Sequence, residues 1–206
     1  MSRIQPVMII FAGPNGSGKS SIINIYLSQE NIPSLYINAD DITRRKVGQM
    51  GLTSIDETQL RIINIEAANE ADLLRKEAIK AGKSFSTETV MSTPAKIDLM
   101  REAKVNGFLV HLVYVLTQDP LININRVDDR VFKGGHSVPP SKIAERYEKA
   151  LGLLPEAIHV ADTATVYNNS FEKPVILLEK TLEKEIKLYP QNAAGILSKW
   201  TQKKLE

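Results

Sequence analysis

Eight consecutive residues near the start of the chain have the types and spacing needed to bind a phosphate group. Residues 13–20 read Gly-Pro-Asn-Gly-Ser-Gly-Lys-Ser, which is the pattern G-x-x-x-x-G-K-[ST]. The glycines let the backbone wrap its N–H groups around an anion, beside the positive end of a following helix. Lys19 can follow a terminal phosphate, and Ser20 is the expected protein ligand for Mg²⁺. The predicted nucleotide-binding residues are Gly13, Pro14, Asn15, Gly16, Ser17, Gly18, Lys19, Ser20 and Ser21.

The residues on either side of this loop distinguish a phosphate site from an ordinary glycine-rich turn. An apolar run at residues 7–12 comes before the loop, and residues 20–28 are compatible with a helix. The motif requires a strand, a glycine-rich loop and a helix in this order. We therefore predict that the loop binds the phosphates of a nucleotide.

Acidic residues follow two of the predicted strands and could act on a phosphoryl acceptor. Asp40 and Asp41 come after a short strand at 35–37, where a carboxylate can face the terminal phosphate and accept the proton of an attacking hydroxyl. Adjacent side chains point in different directions, so we expect at most one of the two to be catalytic; the alternative is that they cap the next segment. Glu88, followed by Thr89, is interpreted as an acceptor contact or an acid near Mg²⁺, the alternative being ordinary polarity at a strand end.

Two arginines precede a Gly-Gly loop and could supply positive charge to the reaction. Arg126 and Arg130 are four residues apart, so they share one face of a predicted helix. Cations on a mobile helical lid could stabilise the charge that develops on a transferred phosphoryl group. The alternative is that both are exposed and pair with nearby aspartates. Arg146 is interpreted as part of an exposed, charged helix face, and His136 as part of a solvent-exposed turn.

Strands and helices alternate along the chain. Strands are predicted at 7–12, 35–37, 83–89, 108–116, 164–167 and 174–178, and helices at 20–28, 54–82, 94–105, from 119, at 141–154 and at 192–204. Residues 43–54 are expected to be irregular, Ser54 to cap the helix that follows, and Pro155 to start or kink the next turn. This order predicts an α/β fold with a mostly parallel sheet of about five to six strands and helices on both faces. Ligands of such sheets bind at the carboxyl ends of the strands, where the loop, the acids and residues 168–170 lie.

Composition limits the classes of function. The 206 residues include 43% hydrophobic and 24% charged residues, a composition that favours one soluble domain over residues 1–206. The net charge of +2 gives no reason to expect nucleic acid or a membrane as partner. Cysteine is absent, so disulfides and thiol nucleophiles are excluded. The start of the chain does not resemble a signal peptide, and the apolar run at 108–116 is too short to cross a bilayer. We therefore expect a cytoplasmic enzyme.

Taken together, these residues resemble the zeta toxin family of P-loop kinases, which phosphorylate UDP-N-acetylglucosamine. The matching segments are GPNGSGKSS at 13–21, INADD at 37–41, TETVMS at 87–92, RVDDRVFKGGHSVP at 126–139 and ADTATVYNNS at 161–170. The first segment is common to many ATPases, whereas the ordered set is much more specific. The resemblance implies a three-layer P-loop kinase fold with a helical lid, and ATP and Mg²⁺ as cofactors.

The resemblance also implies residue roles and a protein partner. It assigns Lys19 and Ser20 to the phosphates and Mg²⁺, Asp40 to general base catalysis at the sugar 3′-hydroxyl, and Glu88 to a contact with the sugar nucleotide. It assigns the arginine pair 126 and 130 to the ATP phosphates, although the spacing is shorter than in the family. Members of the family are usually inhibited by a small helical antitoxin.

The sequence departs from the characterised toxins after the acidic residue at position 88. Those toxins have a Thr and an Arg near the substrate, where this chain has Val90 and Ser92. The departure leaves the acceptor open. Besides a nucleotide-sugar kinase, the alternatives are a P-loop ATPase or nucleotide-dependent switch that acts through a protein partner, and a kinase of another small metabolite or a nucleoside.

Overall fold

A computed structural model describes residues 5–28, 32–51, 55–132 and 138–192. Ser54, the loop at 133–137 with His136, and most of the predicted helix at 192–204 lie outside these ranges. Within them, the sheet has seven strands in the order β2-β3-β1-β4-β5-β6-β7. The strands are β1 Val7–Ala12, β2 Tyr36–Ile37, β3 Phe85–Thr89, β4 Leu109–Leu116, β5 Thr163–Asn168, β6 Val175–Lys180 and β7 Ile186–Leu188.

The first five strands of this order pair in parallel, and the last two pair antiparallel. Helices connect the parallel strands. The helices are α1 Lys19–Ser28, α2 Ala39–Met50, α3 Glu57–Lys80, α4 Ala95–Val105, α5 Pro120–Phe132 and α6 Pro140–Val160, and a short 3₁₀ turn covers Pro190–Asn192. The predicted mixed α/β fold with a mostly parallel sheet is therefore confirmed, although the sheet has seven strands and not five to six, because the short exposed edge strand β7 was not predicted.

Alternation of side chains along β1 builds a core on both faces of the sheet. Met8 and Ile10 face a large apolar cluster that contains residues of α3, α4 and α6. Ile9 and Phe11 face a smaller cluster with Ile22 of α1. Both sides of the central strands are thus covered by helices, which explains why these strands are almost continuously apolar. No helix in the described part of the chain is long and apolar enough to cross a membrane.

The region after β2 differs from the sequence prediction. Residues 39–50 form helix α2, where irregular structure was expected. The Asn38 side chain caps its start by accepting a hydrogen bond from the Asp40 N–H group at 2.8 Å, and Gly51 ends it in a left-handed conformation with φ of 60°. Ion pairs from Arg45 and Lys46 to α3 hold the helix. Few of its residues are buried, so the sequence shows no apolar stripe.

Two helix boundaries also differ. Helix α3 begins at Glu57 with Asp56 as its cap, because the Asp56 carboxylate accepts a hydrogen bond from the Gln59 N–H group at 2.8 Å; the prediction of Ser54 as the cap is wrong. Helix α6 continues through Pro155 to Val160. A proline inside a helix costs about 3 kcal/mol, but Leu154 and Ala157, one position before it and two positions after it, are fully buried, so packing of this part of the helix against the core offsets that cost.

Candidate active site

The glycine-rich loop joins β1 to α1 and has no room for side chains at its glycines. Gly16 and Gly18 have φ values of +74° and +90°, which residues with a Cβ rarely adopt. A Cβ on Gly16 would lie 2.4 Å from the Asn123 carbonyl oxygen, and one on Gly18 would lie 2.1 Å from the Asn169 Nδ2 atom. Close contact with two neighbouring segments therefore requires glycine at both positions.

Two buried asparagines hold the outer side of the loop. Asn123 of α5 donates a hydrogen bond to the Asn15 carbonyl at 2.6 Å, and Asn169, just after β5, donates one to the Ser17 carbonyl at 2.8 Å. In a trans peptide the N–H group points opposite to the carbonyl. Binding these carbonyls on the outer side thus turns the following N–H groups, those of Gly16 and Gly18, towards the inside of the loop.

Lys19 is the buried cation of the site. Its side chain donates hydrogen bonds to the Gly13 and Pro14 carbonyls at 2.9 and 3.1 Å, and its Nζ atom lies 3.7 Å from Glu88 Oε1. Burial lowers the pKa of Lys19, while the negative charges of Glu88 and Asp40 oppose this effect. An anion in the loop would compensate the desolvated ammonium group.

The loop forms one wall of a cavity of about 380 Å³, and predicted site residues from several elements meet there. The lining residues are Asn15, Gly16, Gly18, Lys19, Ser20, Asn38, Ala39, Asp40, Glu88, Thr89, Val90, Arg126, Val127 and Arg130. Four predicted loop residues are not among them. Those residues are Gly13, Pro14, Ser17 and Ser21. Ser21 is exposed, and Ser17 is fully buried with a hydroxyl group that has no hydrogen-bond partner among the described residues.

Only one of the two adjacent aspartates belongs to this cavity. Asp40 is an exposed residue in the first turn of α2 and lines the cavity. Asp41 forms an ion pair with Arg44 on the exposed side of the same helix. The geometry therefore singles out Asp40 as the carboxylate that can reach a bound acceptor. Its catalytic role stays a prediction.

The arginines predicted for the lid reach the same cavity from α5. Among the described residues, neither Arg126 nor Arg130 forms an ion pair, so the alternative of pairing with nearby aspartates is not observed. The Arg126 Nη1 atom is buried and has no hydrogen-bond partner in the described part of the chain. Its position is close to Gly18, since a Cβ there would lie 4.0 Å from it. A buried donor without an acceptor, next to the loop, fits a site that binds an anion.

Sequence reasoning missed several residues of the site. Arg146, interpreted as part of an exposed helix face, donates from Nη1 to the Asn15 side-chain oxygen at 3.4 Å. Asn123 was not singled out either, and Asn38 was placed at the end of a strand without a predicted role. A helix start of the form Asn-x-Asp-Asp could have identified Asn38 as a cap. No local signal identifies Arg146, because its partner is 131 positions away.

The residues present also fit a divalent cation only in part. Ser20 lines the cavity and is exposed, as expected for a hydroxyl ligand of Mg²⁺. The described residues contain no group of three or more His, Cys, Asp or Glu side chains that could hold a metal by themselves. A Mg²⁺ ion here would depend on nucleotide phosphates and water for its other ligands, which is how this ion is usually bound.

Comparison with known proteins identifies the family. The sequence profile of the zeta toxin family matches residues 1–183. A protein of Haemophilus influenzae described as uncharacterized is 31% identical over 144 residues, which cover 70% of this chain and 94% of that protein. The resemblance seen in the sequence is thus confirmed.

Two solved structures share the fold. A chain of the AvrRxo1-ORF1:AvrRxo1-ORF2 complex with ATP has a TM-score of 0.74 at 15% identity, with 97% of this chain and 64% of that chain covered. The PezAT toxin–antitoxin system of Streptococcus pneumoniae gives a TM-score of 0.57 at 16% identity, with 84% and 73% covered. This chain spans less than two thirds of the AvrRxo1 complex chain, and at these identities the likeness concerns the fold alone. The chain belongs to the zeta toxin family and has the fold of a P-loop kinase.

Proposed function

We propose that this protein is an ATP-dependent kinase that transfers the γ-phosphoryl group to a hydroxyl of a small molecule, with a nucleotide sugar such as UDP-N-acetylglucosamine as the acceptor. One observation carries the proposal. Lys19 of the glycine-rich loop and Asp40 of α2 line the same cavity, so a phosphate-binding cation and a carboxylate face one space. Membership of the zeta toxin family supports the choice of acceptor class.

The donor side of the cavity suits a triphosphate. The loop N–H groups and Lys19 would bind the phosphate oxygens, and the unpaired Nη1 atom of Arg126 would find its acceptor there. Arg130 and Arg146 approach from α5 and α6 and would add positive charge. Ser20 would hold Mg²⁺, which supplies positive charge that offsets the charge of the phosphates.

The acceptor side of the cavity contains the acids. In the proposed reaction, an acceptor hydroxyl oxygen forms a bond to the γ-phosphorus while the bond from that phosphorus to the bridging oxygen of ADP breaks. Asp40 takes the hydroxyl proton, and ADP and the phosphorylated acceptor leave. Glu88 and Thr89 line the same wall and would contact the acceptor.

The proposal is tested by incubating the protein with radiolabelled ATP and UDP-N-acetylglucosamine and separating the products. Asp40→Asn should lower the transfer rate by about 10²- to 10⁴-fold, the usual contribution of a general base, and leave ATP affinity nearly unchanged. Asp41→Asn is the matched control, because Asp41 is adjacent but pairs with Arg44 on the exposed side of α2. Equal activity of Asp40→Asn and the wild type would refute the assignment of the base.

The same assay separates the alternatives. A kinase of another metabolite would transfer no label to UDP-N-acetylglucosamine but would label another sugar, nucleotide or nucleoside in an acceptor screen. An ATPase or nucleotide-dependent switch would hydrolyse or bind ATP and label none of them.

We also propose a small antitoxin as protein partner. Support comes from two structural relatives, one from the PezAT toxin–antitoxin system and one from the AvrRxo1-ORF1:AvrRxo1-ORF2 complex. Expression of the chain alone and together with its chromosomal neighbours tests this proposal. A neighbour that copurifies with the chain and restores growth would support it, and the absence of any growth defect on expression alone would contradict it.

A further inference from the structure

The Asn38 side chain forms hydrogen bonds to both acidic residues of the cavity, to the backbone of Asp40 and to the carboxylate of Glu88. Its Oδ1 atom accepts a hydrogen bond from the Asp40 N–H group at 2.8 Å, which caps α2. Its Nδ2 atom donates to Glu88 Oε2 at 3.3 Å and to the Tyr36 hydroxyl at 3.0 Å. One side chain thus links the end of β2, the start of α2 and the end of β3.

The chemistry of these partners fixes the orientation of the amide. In the opposite orientation, the NH₂ group of Asn38 would face the Asp40 N–H donor, and its oxygen would face the Glu88 carboxylate. Both contacts would be repulsive. In the observed orientation the Asn38 oxygen accepts one hydrogen bond and its NH₂ group donates two. The amide group of Asn38 is therefore held at both ends.

Tyr36 completes the network around Glu88. Its hydroxyl donates to Glu88 Oε2 at 3.1 Å while accepting from Asn38. Burial and the negative charge of Glu88 both raise the pKa of Tyr36, so the phenol keeps its proton and stays a donor. Two neutral donors therefore hold Oε2, which leaves Oε1 as the oxygen 3.7 Å from the Lys19 ammonium group.

We infer that Asn38 is a positioning residue that sets the placement of Asp40 relative to Glu88. It does so by capping the helix that carries Asp40 and by binding Glu88 Oε2, while Glu88 Oε1 is the oxygen 3.7 Å from Lys19. The inference rests on the proposed function, since the purpose of the arrangement is to bring an acceptor hydroxyl to the base. Neither end of the contact is sufficient, because a cap alone would leave Glu88 Oε2 with only one of its two donors in the described part of the chain, the Tyr36 hydroxyl.

Substitutions at position 38 separate the two contacts. Serine is a good helix cap but is too short to bind Glu88 as well, whereas alanine loses both contacts. We expect Asn38→Ser, which keeps the cap but loses the hydrogen bond to Glu88, to melt only about 2–4 °C below the wild type. Its kcat should fall about tenfold or more and its KM for ATP should stay nearly unchanged, because a hydrogen bond to a charged group is lost. Asn38→Ala should show the same loss in kcat and a lower melting temperature. Wild-type kcat in Asn38→Ser would overturn the inference, since a residue that only caps the helix would give that result.

A second measurement does not depend on catalysis. Melting temperatures of Asn38→Ser, Glu88→Ala and the double variant form a cycle. If the side chains are coupled, we expect the sum of the two single shifts to differ from the shift of the double variant by about 2 °C or more. Additive shifts would overturn the contact between Asn38 and Glu88, and with it the inference. If the wild type phosphorylates no acceptor but the shifts are coupled, the proposed kinase function fails while the contact stands.

Discussion

Replacement of Gly18 by alanine tests the reasoning about the glycine-rich loop, and Gly107 provides a matched control. The two glycines have φ values of +90° and +82°. A Cβ on Gly107 would meet no atom within 4 Å, whereas one on Gly18 would lie 2.1 Å from Asn169 Nδ2. Gly107 follows α4 at the opposite end of the sheet from the cavity. Because the two φ values are similar, an alanine would strain the backbone about equally at both positions. Only Gly18→Ala adds a steric conflict with a neighbouring side chain.

The expected magnitudes follow from these contacts. A left-handed conformation costs an L residue about 1–2 kcal/mol, which for a domain of this size lowers the melting temperature by about 5 °C. In Gly18→Ala the Asn169 side chain must also move, which breaks its 2.8 Å hydrogen bond to the Ser17 carbonyl. An unpaired buried polar group adds about 1–3 kcal/mol. We therefore expect Gly18→Ala to melt about 10 °C below the wild type, since 1 kcal/mol corresponds to about 2–4 °C.

Nucleotide affinity is the second measurement. The displaced Asn169 no longer holds the Ser17 carbonyl on the outer side, so the Gly18 N–H group loses its orientation towards the inside of the loop. We expect the Kd for ATP, measured by calorimetry, to rise about tenfold or more in Gly18→Ala and to stay at the wild-type value in Gly107→Ala. Equal melting temperatures of the two variants with unchanged ATP binding would refute the close contact at Gly18.

Two further predictions concern other parts of the fold. Burial lowers the pKa of His111 from its usual value of 6.5. Below about pH 6.5 the unfolded chain therefore binds a proton that the folded chain does not, and the free energy of unfolding decreases as the pH falls. His111→Gln should reduce this loss, measured as the difference in melting temperature between about pH 7.5 and 5.5; an unchanged difference would contradict the assignment. Arg146→Met should raise KM for ATP about tenfold, because a charged contact to the loop is removed. Lys149→Met is the control on the same helix and should have little effect, because Lys149 pairs with Glu145. Equal KM values in the two variants would exclude a role for Arg146 at the loop.

Local patterns in the sequence were sufficient to predict the central part of the fold. The apolar runs at 7–12 and 108–116 became β1 and β4, because strands buried on both faces need apolar side chains at successive positions. Asp119 before Pro120 correctly marked the start of α5, and its carboxylate binds the Leu121 N–H group at 2.8 Å. In contrast, α2 was missed because Ile42 and Thr43 are its only buried residues, so its sequence shows no apolar stripe, and because its contacts with α3 include ion pairs that no local pattern indicates.

The candidate site divides in the same way. The glycine-rich loop could be recognised from eight adjacent residues, since its shape depends on local backbone freedom and on a following helix. The choice of Asp40 over Asp41 needed the position of α2 against the cavity, because adjacent side chains in a helix point in different directions. The roles assigned to Asp40 and Glu88 stay predictions until variants are measured.

The sequence by itself determined the phosphate-binding loop, the alternation of strands and helices, and the family. Only the tertiary structure decided which side chains surround that loop. Asn169 holds Ser17 across 152 positions, Arg146 reaches Asn15 across 131, and Asn38 meets Glu88 across 50. Residue type and spacing specify local conformation, whereas contacts between residues so far apart arise from how the helices pack on the sheet.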